Sequence, residues 1–90
     1  MNKGDLINKV AESAGLTKAQ ATSAVNTVFD SIGESLTNGD KVTLIGFGTF
    51  SVSRREARQG RNPQTGQSIT IAAKSSVKFK PGKELSETVN

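Results

Sequence analysis

Between Arg54 and Arg61 the chain carries four arginines (Arg54, Arg55, Arg58, Arg61) and one acid, Glu56. A guanidinium forks onto phosphate oxygens where an ammonium offers only a point charge, so the run suits a polyanion such as nucleic acid. Directly after it, Asn62-Pro63-Gln64-Thr65-Gly66 forms a dense turn signal around a rigid apolar ring. An apolar wedge on a charged ribbon can slide between base pairs in the minor groove, unstack one step and kink the duplex. A plain turn proline is the simpler alternative. Catalytic chemistry finds little to work with. There is no cysteine or histidine, hence no thiolate or imidazole metal ligand and no Cys/His or Ser/His nucleophile pair. The acids Asp5, Glu12, Asp30, Glu34 and Glu56 are scattered without a convergent site. We expect no enzyme, no cofactor and no metal. Gly46-Phe47-Gly48 lacks the third glycine of a dinucleotide loop and leads into a strand pattern. Gly60 and Gly66 are spaced wrongly for a P-loop, with Gln67 where its lysine should follow.

The net charge of +4 conceals a division. From Met1 to Asp40, Lys3, Lys9 and Lys18 are outnumbered by Asp5, Glu12, Asp30, Glu34 and Asp40. From Lys41 to Lys83, nine basic residues (Lys41, Arg54, Arg55, Arg58, Arg61, Lys74, Lys78, Lys80, Lys83) face Glu56 alone; Glu84 and Glu87 follow. One half builds a scaffold and the other meets the polyanion.

The scaffold half reads as two helices. Asn2 caps the first, Asp5 favours its dipole, and Leu6, Ile7, Val10, Ala11 and Ala14 share one face until Gly15 stops it. Thr17-Lys18-Ala19-Gln20 is a capping box for the second. Its apolar positions Ala21, Ala24, Val25, Val28, Phe29, Ile32 and Leu36 run to Asn38-Gly39. A helix-turn-helix reading fails, because the outward positions of this second helix are neutral or acidic beyond Lys18 and would repel a duplex. From Lys41 the period changes to two. Val42 and Leu44, then Phe50 and Val52, then Val77 and Phe79 read as three strands, with the Ile45 to Thr49 glycines turning the first hairpin. Between Ser53 and Ser76 only Ile69 and Ile71 are large and apolar, so this segment has no core of its own and reads as a long two-stranded ribbon. Its Arg54 to Arg61 limb alone would reach about 26 Å. Such a hairpin is marginal in water until it lies on a partner. Lys80-Pro81-Gly82-Lys83 breaks the last strand before a short helix from Glu84 to Val89. Phe29, Phe47, Phe50 and Phe79, the only aromatics, fall at core-facing or turn positions. The ribbon thus lacks the stacking platforms that single-stranded nucleic acid requires, which favours a duplex.

A 90-residue chain buries only about 60–65% of its unfolded surface, and with no disulfide or metal a second copy of the chain is the expected source of further core. No stretch reads as a signal peptide or a membrane span, so a soluble intracellular protein is expected.

At these residues the chain resembles the bacterial HU/IHF family of architectural DNA-binding proteins, along all 90 positions and with most likeness to the HU branch. The similarity is carried by Met1-Asn2-Lys3, Gly46-Phe47-Gly48-Thr49-Phe50, Gly60-Arg61-Asn62-Pro63-Gln64-Thr65-Gly66 and Phe79-Lys80-Pro81-Gly82-Lys83. The resemblance implies an α+β fold: an intertwined homodimer with a helical base (residues 1–40), a three-stranded antiparallel sheet and arm (41–83, arm about 54–74) and a short helix (84–90). Pro63 would then be the intercalating wedge, with Arg55, Arg58, Arg61, Asn62 and Gln64 on the arm. Lys3, Lys74, Lys80 and Lys83 would hold phosphates along the body and flank, and Gly46, Gly48 and Thr49 would bring backbone close to the duplex. Val28, Phe29, Ile32, Leu44, Phe47, Phe50 and Phe79 would form the dimer core. The chain departs from the pattern at Ser75, Val77 and Ser86, where many relatives carry lysine, proline and lysine. Asn26 stands where some relatives have an acid that pairs with Lys3.

The function expected is largely sequence-independent binding and bending of duplex DNA through the minor groove, compacting the chromosome, with preference for bent, nicked or gapped forms and a nucleoid location in the cytoplasm. A sequence-specific regulator of the same fold, or a basic module for RNA or an acidic protein, are the alternatives, and RNA stays open as a second ligand.

Overall fold

The computed structural model describes residues 1–90. Two helices, α1 (Lys3–Ala14) and α2 (Lys18–Thr37), precede five strands, β1 (Val42–Leu44), β2 (Gly48–Arg55), β3 (Arg58–Arg61), β4 (Ser68–Ile71) and β5 (Lys74–Pro81), and a last helix, α3 (Lys83–Thr88). Both long helices start as their sequences dictate. Asn2 Oδ1 accepts the Asp5 N–H at 2.9 Å while an Asp5 carboxylate oxygen accepts the Asn2 N–H at 3.0 Å. Thr17 and Gln20 make the same reciprocal pair at 3.1 and 3.0 Å. Each box satisfies amides that no helical carbonyl can reach. Gly15, at φ 66°, closes α1 in the left-handed conformation.

Ile7, Ala21 and Val25 are the buried apolar residues where α1 crosses α2, bordered by Leu6, Val10, Ala11 and Leu16. Ala14, on the same helical stripe, is exposed, and Leu16 from the following turn reaches the core edge instead. The second half of α2 points elsewhere. Val28, Phe29 and Ile32 line, with Leu44, Phe47 and Phe50, an open apolar cavity of about 500 Å³. The Phe79 ring lies 4.7 Å from that of Phe50 and 5.5 Å from that of Phe47, centroid to centroid. Yet Val28 is 55% exposed and Phe47 46%. Phe29, Phe47 and Phe50 thus line one apolar surface with Phe79 behind it, and the protomer leaves that surface open.

β1, β2 and β5 form a three-stranded antiparallel sheet in that order, and β3 pairs β4 separately. The expected ribbon is present with an interruption. Arg55 pairs Lys74 and Arg58 pairs Ile71, so residues 56–57 and 72–73 leave the ladder while the register on either side is the same. No residue is inserted, so this is a break without a bulge. Three of the four positions are alanines (Ala57, Ala72, Ala73), which give little cross-strand packing to hold the pleat. The ribbon dominates the molecule's shape. Its radius of gyration is 19.1 Å and its longest extent 60 Å, against about 12 Å for the radius of a compact chain of this length. No helix is long and apolar enough to cross a membrane.

Gly48 ties the sheet to its own interior. It is buried, and a Cβ there would lie 2.6 Å from Phe79 ring atoms and 2.7 Å from the Lys80 carbonyl oxygen. Neither neighbour is free to move, since one is in the aromatic cluster and the other is backbone of the paired strand. Gly48→Ala is expected to destabilise by about 1–3 kcal/mol, the usual cost of overpacking, read as a lowered thermal midpoint.

Candidate nucleic-acid interface

Strand register sorts the basic residues by face, because cross-strand partners project to the same side. Phe50 opposite Phe79 and Val52 opposite Val77 define the inner face. The outer face carries Thr49 opposite Lys80, Ser51 opposite Lys78, Ser53 opposite Ser76 and Arg55 opposite Lys74, with Thr43 of β1 beside Thr49. The result is a strip of hydroxyls and cations with no acid in it. Lys78 and the serines were missed by motif reading, although Lys74, Ser76, Lys78 and Lys80 recur at every second position and so must share a face.

Beyond the break the arm has two unlike faces. Arg58, Gly60, Ile69 and Ile71 share one, where Ile71 Cδ1 lies 2.7 Å from the place a Gly60 Cβ would take. Gln59, Arg61, Ser68 and Thr70 share the other, and Gln59 Nε2 donates to Thr70 Oγ1 at 3.4 Å. At the tip, Asn62 organises the turn three ways. Its N–H donates to the Gln67 carbonyl at 2.8 Å, its carbonyl accepts the Gly66 N–H at 2.7 Å, and its Oδ1 accepts the Gln64 N–H at 2.9 Å. This Asx turn presents Pro63 and Gln64, both exposed, at the end of the arm. Gly66 completes it at φ 71°.

Few of these charges are neutralised internally. The ion pairs are Arg54 with Glu56 at 3.5 Å and Lys83 with Glu87 at 3.9 Å, both exposed. Arg58, Arg61, Lys74, Lys78 and Lys80 have no carboxylate partner. Concentrated like charge without counter-ions is repulsive within the protein and attractive to a polyanion. Arg55 differs, since its Nη2 donates to the Ala72 carbonyl at 2.8 Å.

The remaining expected residues lie apart from the arm. Lys3 opens α1 on the helical base and Lys83 opens α3. Gly46, at φ 86°, turns the β1–β2 hairpin, with a Glu84 carboxylate oxygen 2.8 Å from where its Cβ would be. Gly48, expected to admit a duplex to the backbone, has a sufficient internal reason in the Phe79 ring. Asn26 Oδ1 is buried and accepts no hydrogen bond, so it makes no counterpart to an acid paired with Lys3.

Fold and site together define a β-ribbon module: a small helical and sheet body that projects an unneutralised basic arm with an apolar ring at its end. The family model for "Bacterial DNA-binding protein" matches residues 1–90, and the chain belongs to that family. It is 60% identical over 89 residues to DNA-binding protein HU of Geobacillus stearothermophilus, covering 99% of both chains. Among solved structures it superposes on the Anabaena HU–DNA cocrystal structure with a TM-score of 0.83 at 45% identity, covering 99% of this chain and 97% of that one. On HU from Thermotoga maritima the TM-score is 0.70 at 33% identity with both chains fully covered.

The turn geometry is testable on the free protein. Asn62→Ala should speed amide exchange at Gln64, whereas Asn62→Asp, which keeps the acceptor, should leave it protected; amide exchange followed by NMR reads both.

Proposed function

We propose that this chain is a non-catalytic architectural protein that binds duplex DNA with little sequence preference and bends it. The carrying observation is a set of unpaired cations spread along the whole ribbon, Lys80, Lys78 and Lys74 on the outer face of the sheet and Arg58 and Arg61 on the two faces of the arm beyond the break, ending at an exposed Pro63. Phosphate contacts of this kind supply affinity without reading sequence. Lys3 and Lys83 add charge on the body and flank, and Gly46 and Thr49 bring backbone near the phosphates. The arm lies along the minor groove, Pro63 wedges into a base step, and Gln64 with Arg61 holds the tip against the groove walls. Asn62 acts chiefly through the turn it builds. Kinked, nicked or gapped duplex is preferred because bending intact DNA costs on the order of 1–6 kcal/mol, part of which is already removed there. The location that follows is the nucleoid of the cytoplasm.

The working unit is a homodimer. The cavity lined by Val28, Phe29, Ile32, Leu44, Phe47 and Phe50, with Phe79 behind it, is apolar throughout and too large to leave in water in a protein with three buried hydrophobic residues. A second copy presents the same surface and closes it by twofold symmetry. The dimer then carries two arms that embrace one duplex.

Two substitutions separate affinity from bending. Arg58→Ala should weaken binding to all sequences alike and reduce the slope of log affinity against log salt by about 0.9, one phosphate contact's share. Equal slopes for variant and wild type would remove Arg58 from the interface. Pro63→Ala should lower the bend angle, measured by fluorescence energy transfer across a duplex, more than it lowers affinity; an unchanged angle would eliminate the wedge.

A further inference from the structure

We infer that Arg55 is a positioning residue for the arm: its guanidinium holds the break in the ribbon closed from one side, and duplex phosphate competes with the backbone for it. The inference deepens the DNA-bending reading and rests on it only in its second half. The unbroken register across residues 56–57 and 72–73 means that the arm has one alignment on the body and a two-residue gap in the ladder about which it can swing. Four backbone positions there lack ladder partners, and the side chains supplied are Glu56, Ala57, Ala72 and Ala73. None of the alanines can bridge the gap.

Two arginines flank it on opposite faces, and one of them spans it. Arg55, last residue of β2, sends Nη2 across the gap to the carbonyl of Ala72, a residue on the other limb that no longer belongs to the ladder. On the opposite face Arg54 is drawn along its own strand to Glu56, the one acid between Lys41 and Lys83. Only the Arg55 bond connects the two limbs, and it is a charge-assisted donor on a neutral oxygen. A phosphate is a better acceptor for the same fork. In free protein the bond fixes the direction of the arm, and on DNA the guanidinium transfers to a phosphate and the break becomes free to follow the bent groove.

The test begins without DNA. The chain has no cysteine, so a nitroxide attached at Thr65→Cys marks each arm tip once, and pulsed dipolar spectroscopy gives the tip-to-tip distance distribution of the dimer. Adding Arg55→Ala is expected to enlarge the population outside the main distance roughly threefold, as loss of one net hydrogen bond would. Arg58→Ala, which removes an arginine beyond the break, should leave it unchanged. An unaltered distribution in the Arg55→Ala protein, or equal broadening by both variants, overturns the proposal. Gapped duplex at low salt should then bring wild type and Arg55→Ala to the same distribution. If neither responds to duplex, the DNA reading fails while the clasp in the free protein stands; if both respond but remain different, phosphate does not take over the guanidinium and the exchange is refuted.

Discussion

A two-stranded ribbon has no interior, and everything else in this protein follows from that constraint. The arm has hydrogen-bonded backbone and little else to hold it, so it needs a body to fix its root and a ligand to fix its length. Apart from Arg54 beside Glu56, its cations are kept away from carboxylates, which leaves repulsion along the ribbon as a standing cost and contact with a polyanion as the relief. The same absence of interior explains why Asn62 uses both backbone groups and its side chain on the tip turn. A tip without packing is shaped by hydrogen bonds alone.

The body is designed around a partner. Its own buried core, Ile7, Ala21 and Val25, only staples α1 to the first half of α2. The larger apolar surface, from Val28 to Phe79, remains open in the protomer, and in the proposed homodimer a second copy covers it. Dimerisation and DNA binding would therefore be linked mechanically. The surface that completes the fold would also set where the two arms start, so the root of each arm would be only as firm as the interface. Gly48 sits at that junction, with the Phe79 ring over it on the inner face and the cationic strip beginning next to it at Thr49 and Lys80.

The outer face refines what charge counting suggests. Basic residues of the second half are not equivalent: Lys74, Lys78 and Lys80 line one face, Arg58 and Arg61 point to opposite faces of the arm, and Arg54 and Lys83 are partly offset by Glu56 and Glu87. Arg55 is committed to the protein's own backbone. In the proposed complex a duplex would meet these groups in order along the ribbon, from the sheet of the body to the tip of the arm.

By itself the sequence determined whatever depends on neighbours in the chain. Asn2 with Asp5 and Thr17 with Gln20 are three residues apart, and Gly15 and Gly66 answer to their own φ angles, so helix ends and the tip turn were legible. Alternation of apolar and polar residues revealed the three strands, and composition revealed a ribbon without a core. Tertiary structure decided what depends on residues far apart: the unbroken register across the gap at 56–57 and 72–73, the Arg55 bond to Ala72, and the Phe79 ring that makes Gly48 a packing glycine. Local signals are strong because short chain segments sample few geometries, whereas a cross-strand contact exists only once the whole pairing has set its register.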